Sequence, residues 1–190
     1  MTQAGYPDSY YVATANGLEE HPELTEDLQA DVCVIGGGFT GLSAALNLAE
    51  RGYKVVLLEA ERIGFGASGR NGGLIGSGQR KDVLEMEQAF GLETSRKFWD
   101  FAEDAKAEIR ERVAKHDIKC DLQRGQLVGI HKKSYIGWAK ELSDVLAERY
   151  DYPNTHALSQ EEARALVNTP TFVEGFLDDD AAHLHPLNFA

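Results

Sequence analysis

The sequence predicts an α/β protein, and three observations lead to this fold class. Residues 31–35 form a short apolar, β-branched run that is typical of a buried strand. A glycine-rich turn follows, and then a helical pattern over residues 42–49 that ends at Gly52. Residues 55–58 give a second apolar run. Strand, turn, helix and strand within about 30 residues are the elements of a dinucleotide-binding unit.

The glycine-rich turn has the spacing of a phosphate-binding loop. It reads Gly36-Gly37-Gly38-Phe39-Thr40-Gly41, a G-x-G-x-x-G pattern. Gly36 permits the tight turn, Gly38 lets the backbone approach a pyrophosphate, and Gly41 lets the helix pack closely on the strands. The phosphates are expected at the amino end of the helix, where free N–H groups and the helix dipole favour anions. A plain α/β turn would leave the three successive glycines unexplained.

An acidic residue, Glu59, stands at the carboxyl end of the second predicted strand. A carboxylate at this offset from the glycine turn is placed to accept hydrogen bonds from the 2′- and 3′-hydroxyls of a ribose. Its negative charge would repel a 2′-phosphate, so NADP is the dinucleotide that we expect least. The sequence therefore predicts a dinucleotide with an unmodified ribose.

A second glycine-rich stretch, residues 60–78, follows the acidic residue and contains seven glycines. A flexible linker is one interpretation of so much glycine. The stretch also carries apolar residues that a linker would not keep exposed, namely Ile63, Phe65, Leu74 and Ile75. Glycine where backbone approaches a ligand fits better, with Ser68, Arg70 and Asn71 as polar contacts. A plain NAD domain would usually pass straight into its next helix, so the stretch favours flavin over nicotinamide.

The remaining pattern alternates helices with short strands. A helical region over 82–116 breaks near Gly91, and Phe98 and Phe101 are interpreted as core residues of its second part. Short strands are predicted around residue 122 and over 127–130, and a helix over 134–149. A capping box begins another helix at Ser159. Residues 171–177 are predicted to form a strand, residues 178–180 an outward turn, and Pro186 the first turn of a helix.

Composition limits the class of partner and compartment. The net charge of −12 argues against nucleic acid and anionic membranes as partners. The first thirty residues lack the basic and apolar regions of a signal peptide, and no apolar run reaches membrane-spanning length, so a cytoplasmic protein is expected. The two cysteines give no disulfide framework, and no metal-ligand spacing exists. Cys33 is interpreted as a small core residue of the first strand.

The glycine turn, Glu59 and the stretch RIGFGASGRNGG over residues 62–73 resemble the flavin amine and amino-acid oxidoreductases of the D-amino-acid oxidase superfamily. The resemblance is closest to the γ-glutamylputrescine oxidoreductase group, and the ending HLHPLN over residues 183–188 is similar as well. Residues 74–77 depart from the pattern of that group, which leaves the identity of the substrate open. The resemblance implies a Rossmann-type domain that binds FAD.

The resemblance also implies which residues contact FAD. The pyrophosphate would lie against Gly36, Gly38, Phe39, Thr40 and Gly41. The adenosine half would lie at Glu59, Ala60 and Arg62. The path from the pyrophosphate toward the isoalloxazine would run along Ser68, Arg70, Asn71, Gly72 and Gly73.

The implied reaction is the oxidation of an amine. A neutral amine would give a hydride to N5 of FAD and leave an imine, which water hydrolyses to aldehyde and ammonia, and the electrons would pass to oxygen or another acceptor. γ-Glutamylputrescine is the first candidate substrate, with a small amino acid such as glycine or sarcosine as an alternative. An NAD-dependent dehydrogenase and a non-catalytic nucleotide-binding fragment are the other hypotheses. His183 and His185 are typical of a helix cap rather than of a catalytic pair. No catalytic residue is assigned, because the resemblance implies that the residues that hold the substrate come largely from beyond Ala190.

The expected organisation is that of a truncated enzyme. Residues 1–27 are interpreted as an irregular arm that docks on its own domain, with a partner subunit as the alternative. Residues 28–118 would begin the FAD-binding domain, 119–182 an α+β substrate domain, and 183–190 a helix returning to the FAD domain. Because the chain stops as a helix begins, we expect it to be the amino-terminal part of a longer enzyme that is inactive alone. The oligomeric state, and the choice between oxidase and dehydrogenase, stay open.

Overall fold

The computed structural model describes residues 5–190, which fold into two compact units. The helices, in chain order, are α1 Tyr10–Ala13, α2 Phe39–Glu50, α3 Val83–Phe90, α4 Leu92–Lys115, α5 Trp138–Tyr150, α6 Gln160–Val167 and α7 Pro186–Phe189. The strands are β1 Val32–Ile35, β2 Val55–Leu58, β3 Leu74–Ile75, β4 Gln123–Ile130, β5 Thr155–Leu158 and β6 Glu174–His183. The α/β fold class is confirmed.

The first unit contains the predicted strand–turn–helix–strand arrangement. Of the described residues, it comprises 5–73, 118–121 and 184–190. Strands β1 and β2 pair in parallel, from Val32 opposite Val55 to Ile35 opposite Leu58. Helix α2 connects them, as a parallel pair requires a crossover. The helix ends before Gly52, whose φ of +88° is the left-handed conformation that glycine adopts readily.

The N-terminal arm docks within the first unit, on α7. The side chain of His185 begins α7 by accepting a hydrogen bond at Nδ1 from the N–H of Asn188, and Pro186 occupies the first turn. Thr14 Oγ1 lies 3.0 Å from His185 Nε2, and the N–H of Asn16 donates to Asn188 Oδ1 at 3.0 Å. His185 thus caps a helix, as the sequence indicated. Residues 1–4 of the predicted arm lie outside the described residues.

The second unit, residues 74–117 and 122–183, is built on an antiparallel sheet. Strand β6 is central, with β4 along one edge and with β3 and β5 pairing other parts of it. The principal core cluster of this unit lies between the sheet and the helices, and it includes Val83, Trp99, Ile130, Ala139, Leu142, Val145, Leu146, Tyr150, Tyr152 and Phe176.

The boundary between the units differs from the one expected. The sequence placed residues 28–118 in one domain, whereas the structure places α3 and α4 in the second unit. Val83 of α3 and Trp99 of α4 pack in the same cluster as Leu142 of α5 and Phe176 of β6. Helices α3 and α4 fall in the second unit because their apolar side chains are buried against α5 and β6. These two elements come later in the chain than the expected boundary at residue 118.

Three local interpretations were wrong. Phe98 and Phe101 are 42% and 71% exposed, because α4 turns the face of Ser95, Trp99 and Lys106 inward. Phe98 therefore lies at the edge of the buried face, and Phe101 lies on the solvent side of the helix.

The other two errors concern strands. Residues 178–180 lie inside β6 rather than in an outward turn. Asp178 is buried and accepts hydrogen bonds from Ser77 and Tyr152, and the charge of Asp180 is compensated by Lys106 and Arg110. Cys33 is exposed rather than buried, because side chains alternate along β1 and Cys33 shares the exposed face of Ile35. Between residues 5 and 190, no helix combines the length and apolar character needed to cross a membrane.

Candidate dinucleotide site

The glycine turn of the first unit has the geometry that the motif predicts. Gly36 has a φ of +105°, which carries the chain from β1 into the turn. A Cβ on Gly41 would overlap the carbonyl oxygen of Gly36 and would lie 3.4 Å from Val34 Cγ1. Glycine at residue 41 therefore allows the first turn of α2 to rest directly on the end of β1.

Glu59 is held against the glycine turn by backbone groups. Its Oε2 accepts a hydrogen bond from the N–H of Gly37 at 2.5 Å, and its Oε1 accepts from the N–H of Glu61 at 3.0 Å. These donors, that of Gly37 first, lower the pKa of the Glu59 carboxyl below its ordinary value of 4.5. The side chain at the end of β2 is therefore a fixed, ionised carboxylate at neutral pH.

Ser68 joins the second glycine-rich stretch to the first. It lies in a 3₁₀ turn, Ala67–Gly69, and its Oγ accepts a hydrogen bond from the N–H of Phe39 at 2.9 Å. A Cβ on Gly38 would lie 3.0 Å from the same oxygen. The hydroxyl thus occupies one of the donors at the start of α2, a role that the sequence did not predict for it.

The other predicted contact residues of the second stretch are organised by local hydrogen bonds. Asn71 donates to the carbonyls of Ala67 and Ser68, and its Oδ1 accepts from the N–H of Gly73 at 2.8 Å. Gly73 has a φ of +66°, and a Cβ there would overlap the carbonyl oxygen of Leu184. This stretch is therefore an ordered loop rather than a flexible linker.

Charged and neighbouring residues complete the predicted set. Arg62 pairs with Glu20 at 3.1 Å, and Arg70 donates to the carbonyl of Gly66 at 3.1 Å. Ala60 follows Glu59 at the end of β2, and Gly72 lies exposed beside Gly73. The structure thus brings the glycine turn, Glu59 and Ser68 into direct contact. The side chains of Arg62 and Arg70 interact instead with Glu20 and with the carbonyl of Gly66.

The start of α2 retains hydrogen-bond donors for an anion. Within residues 5–190, the N–H groups of Gly38, Thr40 and Gly41 donate to no protein atom, whereas those of Gly37 and Phe39 are used. Gly38 has no side chain that would cover these donors. Helix α2 has twelve residues, so its dipole adds to the effect. The donor set fits a pyrophosphate, and the carboxylate beside it fits a ribose.

Sequence reasoning missed a buried polar cluster in the second unit. Lys106, 3% exposed, places Nζ 2.7 Å from Glu103 Oε2, 2.9 Å from Asp180 Oδ2 and 2.7 Å from Ser77 Oγ. Tyr152 OH donates to Asp178 Oδ1 at 2.8 Å, and burial raises the pKa of that phenol well above its usual range. The sequence feature that could have revealed this cluster is the spacing of Trp99 and Lys106. Residues seven apart lie on the same face of a helix, so burial of Trp99 would also place Lys106 on the buried face of α4.

The first unit therefore has the features of one class of protein, the dinucleotide-binding proteins built on a βαβ unit with a glycine-rich turn at the start of the helix. The family model "FAD dependent oxidoreductase" matches residues 31–190. The chain belongs to this family, and the nicotinamide alternative is set aside in favour of FAD. The departure of residues 74–77 from the γ-glutamylputrescine oxidoreductase pattern does not affect this conclusion.

Curated relatives match almost the whole chain. γ-Glutamylputrescine oxidoreductase of Escherichia coli K12 is 38% identical over 185 residues, which cover 97% of this chain and 43% of the relative. The probable oxidoreductase OrdL of Haemophilus influenzae is 36% identical over 181 residues, which cover 95% of this chain and 42% of the relative. The chain thus spans less than half the length of these relatives.

Solved structures share the fold at lower identity. An L-amino acid deaminase of Proteus vulgaris superposes with a TM-score of 0.65 at 23% identity, covering 92% of this chain and 44% of that one. The L-α-glycerophosphate oxidase of Mycoplasma pneumoniae, solved with FAD bound, superposes with a TM-score of 0.58 at 19% identity, covering 84% of this chain and 40% of that one. At these identities the likeness establishes the fold.

Proposed function

We propose that this chain supplies the FAD-binding part of an enzyme that oxidises an amine. The observation that carries the proposal is the contact between the two motif stretches. Glu59 binds the N–H of Gly37, and Ser68 binds the N–H of Phe39, on either side of the unbonded N–H of Gly38. The N–H of Gly38 thus lies between an N–H bound by a charged acceptor and an N–H bound by a neutral acceptor. Within the described residues it donates to no protein atom itself, which favours a bound pyrophosphate at this position.

The residues proposed to hold FAD are those that the motifs predicted. The N–H groups of Gly38, Thr40 and Gly41 would bind the pyrophosphate, and Gly36 would shape the turn. Glu59 would accept from the ribose hydroxyls, with Ala60 and Arg62 beside the adenosine. Ser68 would act through Phe39, by fixing the start of α2. Further contacts toward the isoalloxazine are proposed for Arg70, Asn71, Gly72 and Gly73.

The chemistry assigned to the protein chain is binding and orientation. FAD, when bound, accepts a hydride from the carbon that bears the substrate nitrogen. The residues in hand would fix the cofactor, and no residue of this chain is assigned as a general base. The name of the E. coli relative supports γ-glutamylputrescine as the first amine to test, with glycine and sarcosine as alternatives. The electron acceptor is proposed to be oxygen or a second redox partner.

The proposal is tested by an absorbance scan of the purified protein in the visible range, followed by addition of amines without oxygen. The test uses the whole polypeptide to which this chain belongs. We expect flavin bands that γ-glutamylputrescine bleaches and that glycine and sarcosine leave unchanged. Bleaching by glycine or sarcosine would move the substrate to a small amino acid. Bands that survive every amine would refute amine oxidation, and no bands after reconstitution with FAD would refute the cofactor site.

Replacing Glu59 with glutamine is expected to weaken FAD binding at pH 7 by about tenfold, because a charged acceptor for the ribose hydroxyls becomes a neutral one. FAD titration monitored by flavin fluorescence measures this change. Glu61→Gln is the matched control, since Glu61 contributes its backbone N–H to Glu59 and keeps it in the variant. Equal affinity of wild type and Glu59→Gln would contradict the ribose role.

The same titration has an expected pH dependence. The pKa of Glu59 is lowered in the folded protein, so its ionised form persists from neutral pH to below 4.5. The contribution of the carboxylate is therefore present above about pH 4.5 and is lost as the pH falls through the lowered pKa. We expect the difference between wild type and Glu59→Gln to be constant from pH 8 to 5 and to shrink below that range. A difference that disappears between pH 8 and 6 would contradict this assignment.

A further inference from the structure

The second unit contains an open cavity of about 440 Å³ that lies among residues 76–83, α4, α5 and the sheet. Its walls include Trp99, Trp138, Leu142 and Phe176. Aromatic and aliphatic side chains of this kind line pockets that bind small organic molecules, and the volume falls in the range of such pockets. The walls therefore suit an apolar body.

One side of the cavity is a run of backbone with unused donors. Within the described residues, the N–H groups of residues 76–81 donate to no protein atom, and Gly78 has a φ of +72°. Arg80 has no partner in that part of the chain either, whereas its neighbour Lys81 lies 3.8 Å from Glu85. This side of the cavity thus offers several N–H donors and one uncompensated positive charge.

Three acidic residues line the cavity, Asp82, Glu85 and Asp178. Glu85 is more than half exposed and lies 3.8 Å from Lys81, which balances its charge, whereas the other two accept hydrogen bonds from protein donors. Asp178 accepts from Ser77 Oγ at 2.6 Å, from Tyr152 OH at 2.8 Å, and from two backbone N–H groups at 3.0 Å. Asp82 accepts from the N–H of Glu85 at 2.9 Å and from Trp138 Nε1 at 3.3 Å. Asp178 and Asp82 therefore have little capacity left for a cationic ligand, and the buried ammonium of Lys106 lies in the same cluster as Asp178.

We propose that this cavity binds an organic carboxylate, with the carboxylate at Arg80 and residues 76–81 and the apolar chain against the aromatic walls. The argument rests on the second unit alone and goes beyond the proposed function, since it needs neither FAD nor a redox step. Arg80 binds the carboxylate as a charge-assisted donor. The apolar walls bind the chain by burial.

The tryptophans provide a direct readout. The chain contains two tryptophans, Trp99 and Trp138, and both line the cavity. Hexanoate, hexan-1-ol and hexylamine are probes that share an apolar chain and differ in the charge of the head group. Titration of the 190-residue protein with each probe, followed by tryptophan fluorescence, is expected to give saturable binding of hexanoate with a dissociation constant about tenfold below that of hexanol. Hexylamine is expected to bind more weakly than hexanol.

Two variants separate the head group from the chain. Arg80→Gln is expected to raise the dissociation constant of hexanoate about tenfold, to that of hexanol, and to leave hexanol unchanged. Arg51→Gln, at an exposed arginine of the first unit, is the control and should change neither probe. Val128→Phe fills the cavity at a residue that is 42% exposed, and it should weaken both probes.

Several outcomes would overturn the proposal. They are tighter binding of hexylamine than of hexanoate, equal binding of hexanoate and hexanol, the absence of any saturable change, and an unchanged hexanoate affinity in Arg80→Gln. Circular dichroism confirms that each variant is folded. Because no flavin is involved, these outcomes are independent of the absorbance test for amine oxidation.

Discussion

Replacing Lys106 with methionine is expected to lower the free energy of unfolding by about 3–5 kcal/mol. The ammonium is 3% exposed and lies within 2.9 Å of carboxylates from Glu103 and Asp180. Methionine preserves the length of the side chain but removes the charge, so the part-buried carboxylates of Glu103 and Asp180 each lose an ion pair and Ser77 loses a donor. Urea denaturation followed by circular dichroism measures the change.

Lys97 is the matched control on the same helix. It pairs with Glu93 at 2.8 Å, but the two side chains are 72% and 87% exposed. Water screens such a pair, so Lys97→Met is expected to cost at most about 0.5 kcal/mol. Similar costs for the two variants would show that Lys106 is solvated in solution and would contradict the buried cluster.

The pKa of the Asp180 carboxyl provides a second test of the buried cluster around Lys106. Burial acts to raise its pKa, but Lys106 and Arg110 outweigh burial and lower the pKa to about 2. A group with a lowered pKa stabilises the fold above its unfolded pKa, and this contribution is lost as the pH falls through about 2. Carboxyl NMR titration should show a higher Asp180 pKa in Lys106→Met than in the wild type.

The first unit could be predicted from sequence because its determinants are local. The strand at residues 32–35, the turn at Gly36 and the helix from Phe39 follow one another directly, so spacing alone defines them. The acid at the end of β2 was equally accessible, since it lies at a fixed offset from the turn. The family assignment drew on the same residues and is confirmed.

The second unit could not be predicted to the same extent because its determinants are distant in sequence. The compensation of Asp180 comes from residues 74, 70 and 56 positions away, Lys106, Arg110 and Arg124. Without these partners, three consecutive aspartates are typical of a turn. The face that α4 buries was also misjudged, because its inward surface includes Lys106 and Ser95, which a pattern of apolar residues does not select.

The hydrogen bonds that connect the residues of the candidate site were not predicted from the sequence. Ser68 was expected to contact the cofactor, whereas the structure shows it bound to the N–H of Phe39, 29 residues earlier. The contact between Ser68 and Phe39 depends on the conformation of the 3₁₀ turn at residues 67–69. The number of glycines in the stretch does not by itself specify that conformation.

Replacing Gly41 with alanine is expected to destabilise the first unit by about 2–4 kcal/mol and to abolish FAD binding. The added Cβ would overlap the carbonyl oxygen of Gly36 and lie 3.1 Å from its carbonyl carbon, so backbone rather than a mobile side chain would have to move. Alanine favours a helix over glycine by up to about 1 kcal/mol, and this opposes the clash. A net loss of stability is therefore specific evidence for the close approach of α2 to the turn after β1.

Gly66→Ala is the matched control in the second glycine-rich stretch. A Cβ at Gly66 meets no atom within 4 Å, and its φ of −80° is accessible to alanine. We expect the unfolding free energy of Gly66→Ala to stay within about 0.5 kcal/mol of the wild type, with FAD binding retained. Urea denaturation and flavin fluorescence on both variants make the comparison. A Gly41→Ala protein as stable as Gly66→Ala would show that the helix does not rest on Gly36, and the fit of the turn to a pyrophosphate would fail with it.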